Sequence, residues 1–140
     1  MRKYNRGFSL MEIMIAVIIL ASIATVVISN VTGQQKKAQV YQANILIDQV
    51  SQALEMFYRD CSFYPTTDEG FIALLEQVDR CPSWGPEPYL TRNEIPKDPW
   101  GGELIYEYDD SASSYEIFSL GSDRKEGGEG YAQDISSRDR

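Results

Sequence analysis

The first sixty residues carry two hydrophobic patterns, one continuous and one periodic. Residues 8–29 are a run of 22 residues whose only charged side chain is Glu12. A helix of that length spans about 33 Å, enough to cross the core of a bilayer. From residue 43 onward apolar side chains recur at i, i+3, i+4 and i+7, which indicates a helix with one buried face. These positions are Ala43, Leu46, Ile47, Val50, Ala53, Leu54 and Phe57. We therefore predict one helix from about Phe8 to Tyr58.

The segment after this helix is rich in proline and reads mostly as loops. All six prolines lie within residues 65–99. One short helix is predicted near Asp68–Gln77, capped by Thr67 or Asp68. Its core-facing side chains would be Phe71, Leu74 and Leu75.

Two later segments alternate polar and apolar residues, as half-buried strands do. They are Glu103–Tyr108 and Ser114–Leu120, and Asp109–Ser113 forms a plausible hairpin turn between them. The predicted fold class is therefore α+β, with a long N-terminal helix packed on a small antiparallel sheet and a loop-rich C-terminal region.

The charges that flank the apolar run predict how the chain is oriented in a membrane. Arg2, Lys3 and Arg6 precede the run, so the positive-inside rule keeps the N-terminus in the cytoplasm and sends the remainder across. A secretory signal peptide is the competing interpretation, with cleavage near the small residues Ala21 or Ala24. The length of the run, and its continuation into an amphipathic helix, favour a retained segment.

Composition removes several classes of function. The formal net charge is −8, from 13 basic and 21 acidic residues, which argues against a nucleic-acid partner. The chain contains no histidine, the commonest general base and the commonest transition-metal ligand. The sequence shows no recognisable pairing of a nucleophile with a base, so an enzymatic function is disfavoured.

The two cysteines, Cys61 and Cys81, lie 20 residues apart and form no CxxC motif, so a four-thiolate zinc site is excluded. In an exported protein the default interpretation is one disulfide. Two free buried thiols are the alternative, and a cytosolic location of the segment after the apolar run would favour them.

Glu12 is the most informative residue of the apolar run. A carboxylate inside an apolar helix costs roughly 2.5–3.5 kcal/mol on insertion scales. Such a residue usually has a partner in the membrane or in an assembly. The alternative is a glutamate that lies one turn from the membrane surface and is partly hydrated.

The segment RGFSLMEIMIAVIIL resembles the class III signal of type IV pilins and type II secretion pseudopilins. The resemblance implies that a prepilin peptidase cuts between Gly7 and Phe8 and that Phe8 is then N-methylated. It also implies that Glu12 pairs with the N-terminal amine of a neighbouring subunit. The chain would then comprise a leader peptide (residues 1–7), a transmembrane and assembly helix (8–29) and a periplasmic head (30–140).

Three head segments, Tyr64–Leu75, Ile95–Leu104 and Ile117–Asp123, resemble segments of the major pseudopilins of type II secretion, in the same order. This implies a type IV pilin-like fold and a non-enzymatic subunit of a periplasmic pseudopilus that drives protein export. The implied partners are further copies of the chain in a helical filament, minor pseudopilins, the assembly platform and the inner membrane. A type IV pilus subunit for adhesion, motility or DNA uptake is the alternative, because it shares the N-terminus.

The chain departs from that family at several positions. Ser29 replaces a common proline in the apolar helix, and Ala21 replaces a common glycine. The cysteine pair is not part of the usual pattern, and the tail ends ISSRDR where an aromatic residue is common.

The segment 119–135 is acidic and rich in glycine. Asp123, Glu126, Glu129 and Asp134 offer hard oxygen ligands of the kind that calcium takes, although the EF-hand spacing is absent. Composition alone favours a solvated acidic loop.

The resemblance changes that interpretation, because this loop binds calcium in major pseudopilins. It implies side-chain ligands from Asp123 and Asp134 and backbone carbonyl ligands from Leu120 and Lys125. Arg124 replaces a common glycine beside Lys125.

Overall fold

The computed structural model describes residues 7–139, except for the side chains of residues 24–32. It contains one α-helix, α1 (Leu10–Cys61), and three strands, β1 (Ile105–Asp109), β2 (Ser114–Ser119) and β3 (Ile135–Ser136). Two short 3₁₀ helices cover Gly70–Leu74 and Gly130–Ala132. The chain divides into two compact units, Met1–Lys36 and Lys37–Arg140, and the second is called the head below. The long helix is confirmed, although it extends three residues beyond its predicted end.

The core of the head is built on one face of α1. Six helix side chains are at most 1% exposed, and their spacing is the predicted one. They are Ala43, Ile47, Val50, Ala53, Leu54 and Phe57. The Phe57 ring meets the rings of Phe63 and Tyr89 edge-on, at centroid distances of 5.6 and 5.7 Å. These contacts place the end of the helix within the aromatic part of the core.

The three strands form an antiparallel sheet in the order β1-β2-β3. In the hairpin Tyr106 pairs with Ile117, and both side chains are buried in the core that contains Phe57. The Tyr106 hydroxyl donates to the carbonyl of Pro65 at 2.8 Å, which ties the sheet to the loop region. The predicted α+β class is confirmed, whereas β3 was not predicted.

The length of the short helix predicted near Asp68–Gln77 is wrong, because only the 3₁₀ helix Gly70–Leu74 forms there, although Phe71 and Leu74 are buried as predicted. Gly70 has a φ of +52°, in the left-handed region, so the backbone cannot continue as an α-helix from the preceding turn. The predicted caps, Thr67 and Asp68, are also wrong. Thr66 makes the capping box instead: its amide donates to the Glu69 carboxylate at 2.8 Å, and its hydroxyl accepts from the Glu69 amide at 3.3 Å.

A charged pair on the head surface holds this turn. The Arg80 Nε donates to the Glu69 carboxylate at 2.8 Å, and the Arg80 guanidinium lies 4.0 Å from the centroid of the Phe63 ring. The hydrogen bond from Arg80 lowers the pKa of Glu69 below its ordinary value. Glu69 therefore stays ionised over a wider pH range while it caps the turn.

Candidate functional site

The N-terminal candidate residues lie at the start of α1. Phe8 precedes the helix and is 78% exposed. Glu12 lies in the first helical turn, and its amide donates to the Ser9 carbonyl at 3.0 Å. A carboxylate in this position interacts favourably with the positive end of the helix dipole. Gly7 is exposed, and the remainder of the predicted leader, residues 1–6, lies outside the described residues.

The apolar side chains in the first part of α1 are not buried by other residues of their own unit. Every residue from 7 to 23 is exposed, including Leu10 at 80% and Leu20 at 66%. Contiguous apolar surface of this kind marks contact with another protein or with a membrane. Among the described residues, no helix is both long and apolar enough to cross a membrane. The side chains of residues 24–29, the end of the predicted span, lie outside that description.

A disulfide joins Cys61, the last residue of α1, to Cys81, with the two Cα atoms 5.2 Å apart. Cys81 is 1% exposed and is followed by a tight turn in which the Trp84 amide donates to its carbonyl at 3.2 Å. The predicted pairing is therefore present. It closes the segment that contains the capping box and the 3₁₀ helix onto the end of α1.

Residues 120–134, called the acidic loop below, fold back on themselves between β2 and β3. The Gly127 amide donates to Oδ2 of Asp134 at 2.9 Å, and the Asp134 amide donates to the Gly127 carbonyl at 3.2 Å. A Cβ atom on Gly128 would lie 2.3 Å from the Ala132 carbonyl oxygen, so this crossing requires glycine. The middle of the loop is thereby held against its C-terminal end.

The predicted calcium ligands have different surroundings in this loop. Asp123 is exposed, and its Oδ1 accepts from the Lys125 amide at 3.1 Å. Asp134 is half-buried, and its Oδ1 is a buried oxygen with no hydrogen-bond partner among the described residues. Leu120 is half-buried at the start of the loop, and Lys125 is exposed.

The buried Oδ1 of Asp134 fits a bound cation. A buried carboxylate oxygen without a partner is costly, and a cation removes that cost. Within residues 7–139 no three acidic or cysteine side chains come together as a metal site. A cation in this loop would therefore take many of its ligands from backbone carbonyls, which suits calcium. The roles of Asp123, Asp134, Leu120 and Lys125 stay predictions.

Sequence reasoning missed the role of Asp98. It is 6% exposed, and its Oδ1 accepts from the amides of Trp100 and Gly102 at 3.0 and 2.6 Å. Its Oδ2 accepts from the Ser119 hydroxyl at 2.6 Å. A Cβ atom on Gly102 would lie 2.8 Å from this carboxylate. The DPWGG motif could have predicted this role, since an aspartate followed closely by glycines is typical of a turn that is capped by the aspartate side chain.

Both the N-terminal segment and the remainder of the chain match known protein families. Residues 2–28 match the family described as prokaryotic N-terminal methylation motif, and residues 30–138 match the one described as type II secretion system (T2SS), protein G. The chain belongs to the type II secretion system protein G family. Type II secretion system core protein G of Vibrio cholerae is 38% identical, covering 98% of this chain and 93% of that one. The Pseudomonas aeruginosa protein of the same name is 34% identical, covering 99% and 98%.

A solved structure agrees with this membership of the protein G family. The crystal structure of the major pseudopilin from the type 2 secretion system of enterohaemorrhagic Escherichia coli aligns with a TM-score of 0.64 and 28% identity. The alignment covers 79% of this chain and 96% of that one. The type IV pilin-like fold and the secretion interpretation are both confirmed, and the comparisons favour the secretion interpretation over the alternative of a type IV pilus subunit.

Proposed function

We propose that this chain is the major pseudopilin of a type II secretion system, the structural subunit of a periplasmic pseudopilus that drives protein export. The observation that carries this proposal is the match of both parts of the chain, the methylation motif and the protein G head. The matched family is one of structural subunits, which supports a role in assembly.

The exposed apolar part of α1 supports a mechanism of assembly. In the inner membrane, lipid covers the side chains of this segment, and in a filament the same segments of other copies cover them. Removal of the leader creates a positive amine at Phe8. Two opposite charges in apolar surroundings are strongly favoured to pair, so Glu12 of one copy would bind the Phe8 amine of the next and set the register.

A substitution at Glu12 tests this mechanism. Glu12→Ala should leave the chain inserted and processed but reduce the yield of filaments, which electron microscopy and shearing of cells would measure. Glu107→Ala is the matched control, because it removes one exposed glutamate from the head. Normal filaments from Glu12→Ala would contradict the pairing.

The methylation motif supports processing by a prepilin peptidase, with delivery to the assembly platform and minor pseudopilins after cleavage. Mass spectrometry of the intact mature chain would test this step. We expect a chain that begins at Phe8, carries one methyl group on its amine and contains one disulfide. A chain that begins after the apolar run would instead indicate a secretory signal peptide.

We also propose that the acidic loop binds calcium as a structural staple. Asp134 and Asp123 would supply carboxylate oxygens, and Leu120 and Lys125 would supply backbone carbonyls. Bound calcium would neutralise these carboxylates and link the two ends of the loop. The buried, unpaired Oδ1 of Asp134 supports this assignment. Extracytoplasmic modules commonly bind calcium with a Kd on the order of 10⁻⁴–10⁻³ M.

Thermal unfolding of the full chain in detergent tests the calcium proposal. Calcium should raise the Tm of chelator-stripped protein, and Asp123→Ala or Asp134→Asn should abolish that rise. Asp110→Ala, an exposed aspartate of the hairpin, should retain it. An unchanged Tm for the wild-type chain at millimolar calcium would reject the proposal.

A further inference from the structure

The acidic loop and the strand residue directly before it contact the Asp98–Gly102 turn, called the DPWGG turn below, at two separate points. The first point is Ser119, which is fully buried at the end of β2. Its hydroxyl donates to Oδ2 of Asp98 at 2.6 Å and accepts from the Gly121 amide at 3.2 Å. One side chain thus links a buried carboxylate of the turn to the first residues of the loop.

The second point is Arg124, within the loop. Its guanidinium donates to the carbonyl of Trp100 at 2.6 Å. Arg124 also has a φ of +57°, in the left-handed region, which is unfavourable for a residue with a Cβ atom. Local strain of this kind persists where surrounding contacts hold it. The bond to Trp100 is a contact of this kind, because it fixes the far end of the Arg124 side chain.

The two points bracket Asp123, one of the two predicted carboxylate ligands. Asp123 itself is exposed and makes its hydrogen bond only two residues away, to the Lys125 amide. That local bond does not orient it relative to the remainder of the head. The bonds of Ser119 and Arg124 do so, because both end on the DPWGG turn.

We propose that the DPWGG turn positions the acidic loop for cation binding, with Asp98 acting through Ser119 and Arg124 acting through the Trp100 carbonyl. This inference rests on the proposed calcium site, and it adds residues that do not touch the ion. A loop that is already ordered binds its ligand more tightly, because the free-energy cost of ordering the loop does not reduce the binding free energy. Asp98, Ser119 and Arg124 are therefore positioning residues, and their removal should weaken calcium binding.

Calcium titration of the full chain in detergent tests the inference. Arg124→Ala keeps a side chain with a Cβ atom at the strained position and removes the bond to Trp100. We expect its Kd for calcium to rise about tenfold, since a charge-assisted hydrogen bond is lost. Ser119→Ala should raise the Kd by a similar factor. Arg124→Lys, which keeps the charge and an N–H donor, should recover part of the affinity.

A control separates the effect of charge from that of position. Arg92→Ala removes the same positive charge from another exposed site of the head and should leave the Kd within about twofold. Amide hydrogen exchange in the presence of chelator gives a readout that needs no calcium. The amides of residues 121–128 should exchange faster in Arg124→Ala and Ser119→Ala than in the wild type, and at the wild-type rate in Arg92→Ala.

Two outcomes would overturn the inference, and they are distinguishable. If the wild-type chain binds calcium and Asp134→Asn abolishes binding, but Arg124→Ala and Ser119→Ala bind with the wild-type Kd, then the contacts are only structural. If the wild-type chain shows no calcium binding, the calcium proposal fails first and this inference fails with it. A raised Kd together with faster exchange in the same two variants supports it.

Discussion

Apolar side chains are exposed in the first unit of the chain and buried in the head. Leu20, in the first unit, is 66% exposed, whereas Leu54, in the head, is fully buried. Both belong to α1. The head therefore supplies its own cover for apolar surface, and the first unit requires cover from lipid or from other copies. One helix thus depends on two different sources of stability.

The difference follows from how apolar residues are distributed around the helix. In the first unit they occur on all sides, so no arrangement of a single head could bury them all. In the head the buried apolar residues share one face, and exposed positions carry polar side chains such as Gln49 and Gln52. Amphipathic spacing is therefore what allows the second half to fold against its own chain.

The largest expected effect comes from a pair of matched substitutions in the two units. Phe57→Ala removes a fully buried ring and should lower the free energy of unfolding by about 3–5 kcal/mol. Leu20→Ala removes an exposed side chain and should change it by less than about 0.5 kcal/mol in detergent. Urea denaturation followed by the fluorescence of Trp84, which packs on Tyr89, would measure both. Equal effects would contradict the division between the units.

A second prediction concerns the disulfide of the head. Cys61→Ala combined with Cys81→Ala should lower the free energy of unfolding by about 3 kcal/mol, because the unfolded chain gains the freedom of the closed segment. Urea denaturation with and without reductant would measure it. The wild type should become less stable in reductant, and the double variant should not change. A double variant as stable as the oxidised wild type would show that the bond adds nothing.

The smallest expected effect is a pH dependence from Glu69. Its folded pKa lies below the ordinary value of 4.5, because Arg80 donates a hydrogen bond to the carboxylate. The stabilisation is therefore present above about pH 4.5 and is lost as the pH falls through the folded pKa. Glu69→Gln should be less stable than the wild type at pH 7 by up to about 1 kcal/mol, and the difference should vanish in acid. A difference that does not depend on pH would point to packing instead.

The elements that sequence predicted correctly are those that depend on local patterns. The buried face of α1 follows from residues three and four apart, and the two strands of the hairpin follow from alternation in two neighbouring segments. The disulfide was predictable because an exported chain with two cysteines has only one way to pair them within itself.

Two features were missed, and the first has a local signal. The T-x-x-E spacing of Thr66 and Glu69 is typical of a capping box, and Arg80, eleven positions further on, holds Glu69 in place. The strand β3 has only two residues, too few for alternation to be visible, and it forms because Ile135 pairs with Ser119. No local pattern indicates this second contact.

Some residues of the candidate site could be selected from the sequence, and others could be identified only from the structure. Asp123 and Asp134 could be selected from the sequence by resemblance, yet only the structure distinguishes an exposed carboxylate from one with a buried, unpaired oxygen. Asp98 could not be assigned, because its partner Ser119 lies 21 residues away on a different element. Roles that arise from one element supporting another require the fold.

The position of the disulfide has a mechanical consequence. Cys61 is the last residue of α1, so the C-terminal end of the helix, which is already packed in the head, is also tied covalently to Cys81. The link withholds the 19 residues between the two cysteines from extension, which amounts to about 65 Å of chain. A subunit under load would keep the end of its helix fixed to the loop region around Cys81 by a covalent path that runs beside the packed core.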